Sequence, residues 1–361
     1  MTDYRWLVVK RGCLALVSLS LVAAVGCGGA EMAAPEAEMA EAADPGTNSD
    51  LMDRQLPNPT SEVITQWAAL PDGRTWGSTA GIDIGPDGHV WVYDRCGANG
   101  LDGGCEANPD VDPILKYDRN TGEVLANFGA GLLVLPHGLH VDDDGNVWVT
   151  DSQGNEAGTK GHQVIKFSPD GDVLLRLGRA GVPGRGPGQL NEPCDVITAP
   201  SGDIFVADGH SGQFGAEPPD KTGRILKFDQ DGTFIKEWGE IGEGEGEFRT
   251  PHALAMDSQG RLFVADRDNN RLMIWDQEGN YIDQWQQFGR PSGVYIDHSD
   301  TIYVADSESW GPDNPGWKKG IRIGSASTGQ VHYFLEDIES MDLAHSGAEG
   351  IGVDTLGNVY G

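Results

Sequence analysis

The chain has 361 residues, including 52 Gly, 20 Pro, 56 Asp or Glu and only 25 Lys or Arg, for a formal net charge of -31. Such a polyanion makes a poor partner for nucleic acid or an anionic membrane surface, because phosphate binding needs clustered positive charge. The glycine content, the recurrent Asp-Gly turns and the scarcity of long apolar helical stripes favour many short strands joined by tight turns, and a closed all-β fold of this length forms one unit.

Arg5, Lys10 and Arg11 open the chain with positive charge, and the apolar run 13–25 is too short for a stable membrane span. Residues 1–26 therefore read as an export signal. The run closes on Ala24-Val25-Gly26-Cys27, which resembles the lipobox of bacterial lipoproteins. That resemblance implies lipidation of Cys27 and an exported protein facing the periplasm or cell surface, with the N-terminal lipid its sole membrane contact. A plain signal peptide with an incidental Cys27 is the alternative. Residues 27–60 are rich in Ala, Glu, Pro and Asp without an apolar period and read as a disordered acidic linker.

From residue 61 onward one pattern recurs six times: a small residue, alternating apolar residues, an Asp-x-x-Gly type turn, and a second strand that usually closes on Asp. The copies span 81–94, 138–151, 195–208, 253–266, 293–306 and 350–361, with starts 57, 57, 58, 40 and 57 residues apart. Two further strand-like runs follow each complete pair, as at 162–167 and 172–177 or 271–275 and 281–285. Four antiparallel strands in repeats of about 40 residues or more predict an all-β, six-bladed β-propeller over 61–361. The last copy stops at Gly361 inside its second strand, so the sixth blade is expected to be truncated and to lack a third strand. Residues 62–67 are expected to close the ring as its outer fourth strand. Segments such as 142–145 and 276–279 read as hairpin turns and not calcium loops, and the Gly-rich 184–188 and 242–246 as loops between blades.

Beyond residue 27 the cysteines are Cys96, Cys105 and Cys194. The first two lie nine apart in one Gly-rich loop, and a disulfide is their natural pairing in an oxidising compartment. A two-cysteine metal clip would lack the other ligands of a structural zinc site.

Immediately before the six repeat starts stand Ala80, His137, Cys194, His252, Ser292 and Glu349. The first strand of a blade is innermost and alternate blades of six lie roughly 120° apart, so His137, His252 and Glu349 are expected to converge on the axis. Two imidazoles and a carboxylate form a metal-ligand set suited to zinc, with a position open for water or substrate. Alone, a Pro-His-Gly histidine caps a turn and a glutamate is solvated; the shared register is what favours the metal. Just after the closing aspartates come Arg95, His210 and Arg267, which join the same funnel. Two arginines beside a metal point to a small anionic or carboxylate-bearing substrate, unless they simply pair with Asp94 and Asp266. His210 is the candidate general base, or else an ordinary loop histidine.

The blades resemble NHL repeats. Through Leu135-Pro136-His137-Gly138-Leu139, Val149-Thr150-Asp151, Asp208-Gly209-His210, Thr250-Pro251-His252-Ala253-Leu254 and Ala265-Asp266-Arg267, residues 75–361 resemble the peptidyl-α-hydroxyglycine α-amidating lyase family. The resemblance implies a six-bladed propeller with zinc on three histidines near the axis, arginines on the substrate carboxylate, and a tyrosine base. His137 and His252 fall on two zinc ligands, and Arg95 and Arg267 on the arginines. Glu349 replaces the third histidine, and His210 replaces the tyrosine. Gly350 replaces an aspartate that helps to bind a structural calcium, leaving the Leu139 backbone carbonyl to contact such an ion. The implied activity cleaves a carbinolamide N–C bond to an amide and glyoxylate, by a monomeric enzyme. A non-catalytic scaffold lipoprotein of the cell envelope, or a metal-dependent lactone or ester hydrolase, are the alternative readings.

Overall fold

The computed structural model describes residues 8–11, 56–71, 73–98, 104–211, 221–309, 313–337 and 347–361. The apolar run 13–25, Cys27 and the linker up to residue 55 lie outside the described residues. The fold is an all-β propeller with 3-10 turns as its helical content among the described residues.

Five blades are each built from one run of chain as an antiparallel four-stranded sheet in sequence order. Blade one comprises Thr79–Ile84, Val90–Asp94, Ile114–Tyr117 and Val124–Phe128. Blade two comprises Pro136–Val141, Val147–Asp151, Gln163–Phe167 and Val173–Gly178. Blade three comprises Pro193–Thr198, Ile204–Asp208, Arg224–Phe228 and Phe234–Trp238. Blade four comprises Pro251–Met256, Leu262–Asp266, Arg271–Trp275 and Tyr281–Trp285. Blade five comprises Gly293–Ile296, Thr301–Asp306, Gly320–Ser325 and Val331–Glu336.

A sixth sheet draws on both ends of the chain, in the order Thr60–Ile64, Val8–Arg11, Val359–Tyr360, Gly352–Val353. The expected gap at its third strand is therefore filled: Val8–Arg11 pairs antiparallel with Val359–Tyr360 on one side and with Thr60–Ile64 on the other. Open sheet edges present unpaired N–H and C=O groups, and a β-branched segment satisfies them. The outer strand ends at Ile64, short of the expected 67; Trp67 instead packs its ring 5.1 Å from Tyr360 and 5.8 Å from Tyr117.

The burial pattern follows from position in the blade. Second strands are buried at every residue of Val90–Asp94, Val147–Asp151, Ile204–Asp208 and Leu262–Asp266, because neighbouring blades cover both faces. The outer strands Val124–Phe128 and Phe234–Trp238 alternate between exposed and half-buried residues. Apolar clusters lie between adjacent sheets: Phe263, Leu272 and Ile274 of blade four pack with Val294, Ile302 and Val304 of blade five. Tyr360 and Ile64 of the sixth sheet pack with Ile82, Val90 and Val92 of blade one.

Aspartates define the repeat twice over. In the hairpin turns, Asp142 Oδ1 accepts the N–H of Asp144 at 3.1 Å and of Asn146 at 2.8 Å while Gly145 takes φ +81°. Asp257, Asp276, Asp297 and Asp354 make the same turn, so these segments are the turns expected and the side chain serves the backbone. The strand-closing aspartates are buried and accept backbone N–H groups of the loop leading into their own blade, as Asp208 does from Asn191 at 2.8 Å and Glu192 at 2.7 Å. That loop leads into the first strand, whose second residue is Ala80, His137, Cys194 or His252 in blades one to four.

Candidate functional site

An axial cavity of about 290 Å³ is lined by the first strands of all five blades and by residues 349–351. His137, His252 and Glu349 line it, as the shared register predicts. His137 is 2% exposed; its Nδ1 lies 2.8 Å from the Cys194 carbonyl oxygen. His252 repeats the arrangement two blades further round the ring, with Nδ1 2.7 Å from the Ser292 carbonyl oxygen. A carbonyl only accepts, so each Nδ1 carries the proton and each Nε2 presents a lone pair. Thr150 supports the first of these, accepting Gly138 N–H at 2.7 Å and donating to the Cys194 carbonyl at 3.0 Å. The blades that carry Cys and Ser at this register thus orient the histidines of the blades before them.

His210 follows Gly209, whose φ of +144° and whose Cα, set against the Thr222 carbonyl, leave no room for a side chain. That turn brings the His210 ring to 4.9 Å from His137 and 5.5 Å from His252, which are themselves 4.6 Å apart between ring centroids. His137, His210 and His252 form a group whose ligand atoms all lie within 4.8 Å of one another. Burial, together with the field of His252, holds His137 well below its ordinary pKa. Burial and His137 do the same for His210, and burial and Arg267 lower His252. All three imidazoles are therefore neutral near pH 7, the form that donates a lone pair.

His137 Nε2 is buried and has no hydrogen-bond partner. A buried polar atom without a partner is costly, and here it faces two other imidazoles. The donor set fits a divalent ion such as zinc.

The arginines do not pair with their neighbouring aspartates. Asp94 is taken by Arg74 at 2.7 Å and Asp266 by Arg271 at 2.9 Å. Arg95 is fixed through Nε to the Pro136 carbonyl at 2.9 Å, and its Nη2 lies 3.9 Å from Glu349 Oε2. Arg267, 1% exposed, places Nη1 2.9 Å from His252 Nε2 and 3.4 Å from Glu349 Oε1. Glu349 Oε1 is also 3.3 Å from His252 Nε2. Burial opposes charge on Glu349, but the contact with His252 and the field of Arg95 outweigh it and hold the carboxyl well below its usual range. His137, His252, Glu349, His210, Arg95 and Arg267 thus converge on one centre, and Leu139, paired with Val149 in the first two strands of blade two, lines the same axial cavity. Gly350 carries no side chain where the resemblance implies a calcium-binding aspartate, and a Cβ there would come 2.7 Å from the Ala80 carbonyl oxygen.

Two groups of residues escaped the sequence reading. Arg290 Nη2 binds Asp268 and lies 3.4 Å from Glu308, whose Oε1 is 3.5 Å from Arg267. Deeper in the cavity, His140 bridges Asp83 at 3.1 Å and Thr198 at 2.9 Å. Asp83 and His140 share the third place of the repeat, which is the signal that could have found them. The expected disulfide joins Cys96 to Cys105 with Cα atoms 5.1 Å apart, and Cys194 is a buried free thiol.

Residues 248–275 match the NHL repeat model. A peptidyl-glycine α-amidating monooxygenase of Xenopus laevis is 35% identical over 58% of this chain and 25% of its own length. A probable peptidyl-α-hydroxyglycine α-amidating lyase of Caenorhabditis elegans is 31% identical over 54% of this chain and 55% of its own. The chain is similar to amidating lyases over about half its length and carries an NHL repeat. It spans less than two thirds of either relative. Among solved structures, a gluconolactonase of Xanthomonas campestris shares the propeller fold, with a TM-score of 0.50 at 15% identity over 80% of this chain and 86% of that one.

Proposed function

We propose that the chain is a metal-dependent lyase that cleaves a carbinolamide bearing a carboxylate into an amide and glyoxylate. The observation that carries the reading is the partnerless Nε2 of His137, buried among His210 and His252 with Arg95 and Arg267 beside it. His137, His210 and His252 would hold the ion, which when bound supplies Lewis-acid stabilisation of the α-hydroxyl oxygen as its proton leaves. Arg95 and Arg267 hold the substrate carboxylate and so fix the carbinol carbon over the imidazoles. The hydroxyl loses a proton, its electron pair forms the aldehyde C=O, and the C–N pair leaves with the amide nitrogen, which gains a proton.

Glu349 Oε1, 3.3 Å from His252 Nε2, favours a second assignment in which His137, His252 and Glu349 hold the ion and His210 is the base. Glyoxylate release from an α-hydroxyglycine peptide, with zinc content measured in parallel, separates them. His210→Ala abolishes metal binding under the first assignment; under the second it retains the metal and loses turnover. Bound zinc with no turnover in the wild type would favour a scaffold, turnover of a lactone a hydrolase, and a wild type that binds no divalent metal would refute both assignments.

We further propose a monomeric six-bladed ring whose closing blade is the sixth sheet, exported and anchored through lipidated Cys27. Processing ahead of Cys27 would remove Val8–Arg11 from that sheet. Mass spectrometry of the mature N-terminus tests this: a chain that retains residues 1–26 contradicts the export reading.

A further inference from the structure

Glu349 has no task in the first assignment above, yet it sits where the proposed substrate carboxylate belongs. Its Oε1 lies 3.4 Å from Arg267 Nη1 and its Oε2 3.9 Å from Arg95 Nη2. Other buried arginine–carboxylate pairs in the molecule are closer: Arg224–Asp208 at 3.0 Å, Arg271–Asp266 at 2.9 Å and Arg322–Asp306 at 2.9 Å. Charge-assisted N–H···O bonds settle at about 2.7–2.9 Å when geometry is free to optimise. Glu349 is therefore held by the field of two guanidiniums and not by a close fork, as a displaceable partner would be. Formal charge around the clamp agrees. Arg95, Arg267 and Arg290 face Glu349, Glu308 and Asp268, so with Glu349 ionised the cluster has no positive surplus to draw in an anion. Arg95 is anchored from behind, through Nε to the Pro136 carbonyl, whereas Arg267 reaches both His252 Nε2 and Glu349 Oε1 through Nη1.

We infer that Glu349 is a built-in occupant of the arginine clamp, standing in for the substrate carboxylate and lowering the affinity of the site for anionic ligands. An incoming carboxylate displaces it, and its return helps to expel an anionic product. The inference rests on the reading of Arg95 and Arg267 as the carboxylate clamp, but not on the metal.

The test is therefore made on chelator-treated, metal-free protein, by calorimetric titration with glyoxylate and with neutral glyoxylamide. Glu349→Gln removes the charge at nearly constant shape, and should bind glyoxylate at least about tenfold more tightly than wild type, since a like charge at this distance in a part-buried site opposes an anion by more than that. The gain should shrink as salt is raised, and glyoxylamide should gain nothing. Glu349→Ala provides an independent removal of the same charge and should show the same direction. Equal glyoxylate affinity in wild type and either folded variant overturns the inference, as does an equal gain for glyoxylamide. If the gain persists when Arg95→Met and Arg267→Met are added, the anion sits elsewhere and the clamp reading falls too. Zinc content, measured separately, reports on the metal alone.

Discussion

At the residue scale, the orientation of the histidines is made by groups with no signature of their own. Cys194 and Ser292 act through backbone carbonyls, and Thr150 acts by holding one of those carbonyls and the Gly138 N–H together. Thr150→Val keeps the shape but leaves Gly138 N–H buried without an acceptor. We expect a stability loss of roughly 1–3 kcal/mol in urea denaturation. Zinc affinity should fall by about 10–100-fold, as for other losses of groups that orient a ligand. A stability loss with unchanged zinc affinity would show that the carbonyl does not set the His137 tautomer. Gly209→Ala should act on His210 in a different way: an added Cβ would lie 1.9 Å from the Thr222 carbonyl oxygen, so the turn that delivers the ring must move. Loss of zinc stoichiometry in a protein that still folds is the expected result. The register of His137, His252 and Glu349 was legible in the sequence because one repeat position maps to one place on the axis. The approach of His210 as a third imidazole was not, since it depends on a glycine turn outside that register.

The blade, as an element, is held at its inner end by the strand-closing aspartate, and one blade departs from the rule. Asp208 and Asp266 pair with Arg224 and Arg271, the residues directly opposite them on the third strand. In blade two the residue opposite Asp151 is the neutral Gln163. Asp151 accepts the N–H groups of Val134 at 3.0 Å and Leu135 at 2.7 Å, but burial outweighs these bonds and pushes its carboxyl up to about 7. A folded-state value above the unfolded one means that the native protein keeps a proton the unfolded chain has lost. The stability this group contributes is full below the unfolded value near 3.8 and is lost as pH rises through about 7. Gln163→Arg should reproduce the pairing of blades three and four, lower the Asp151 value, and flatten the decline of melting temperature between about pH 4 and 7. An unchanged pH slope in thermal melts would show that Asp151 is not the group responsible. The repeat itself was readable because turn aspartates and closing aspartates recur at fixed offsets, whereas the missing arginine emerges only once strands are paired.

For the whole molecule, the sixth sheet is where local pattern fails to determine structure. Residues 8–11 read as part of an export signal, and nothing in Val8-Val9-Lys10-Arg11 marks them as the third strand of a blade more than 340 residues away in sequence. The open edge of Val359–Tyr360 decides the pairing, and edges exist only in three dimensions. The disulfide has a similarly global meaning. Cys96 adjoins Arg95 and is tied to Cys105 across the loop between the second and third strands of blade one. Replacing both cysteines with serine should cost roughly 2–3 kcal/mol by loop-closure entropy, measured in urea. The same change should weaken glyoxylate binding to the Glu349→Gln protein, because the backbone that presents Arg95 is loosened. In a reducing cytosol the disulfide does not persist, so protein made there and protein made in an oxidising host would carry the same sequence but differ in the loop that presents Arg95. The production history of a sample is then itself a variable in every assay of this propeller.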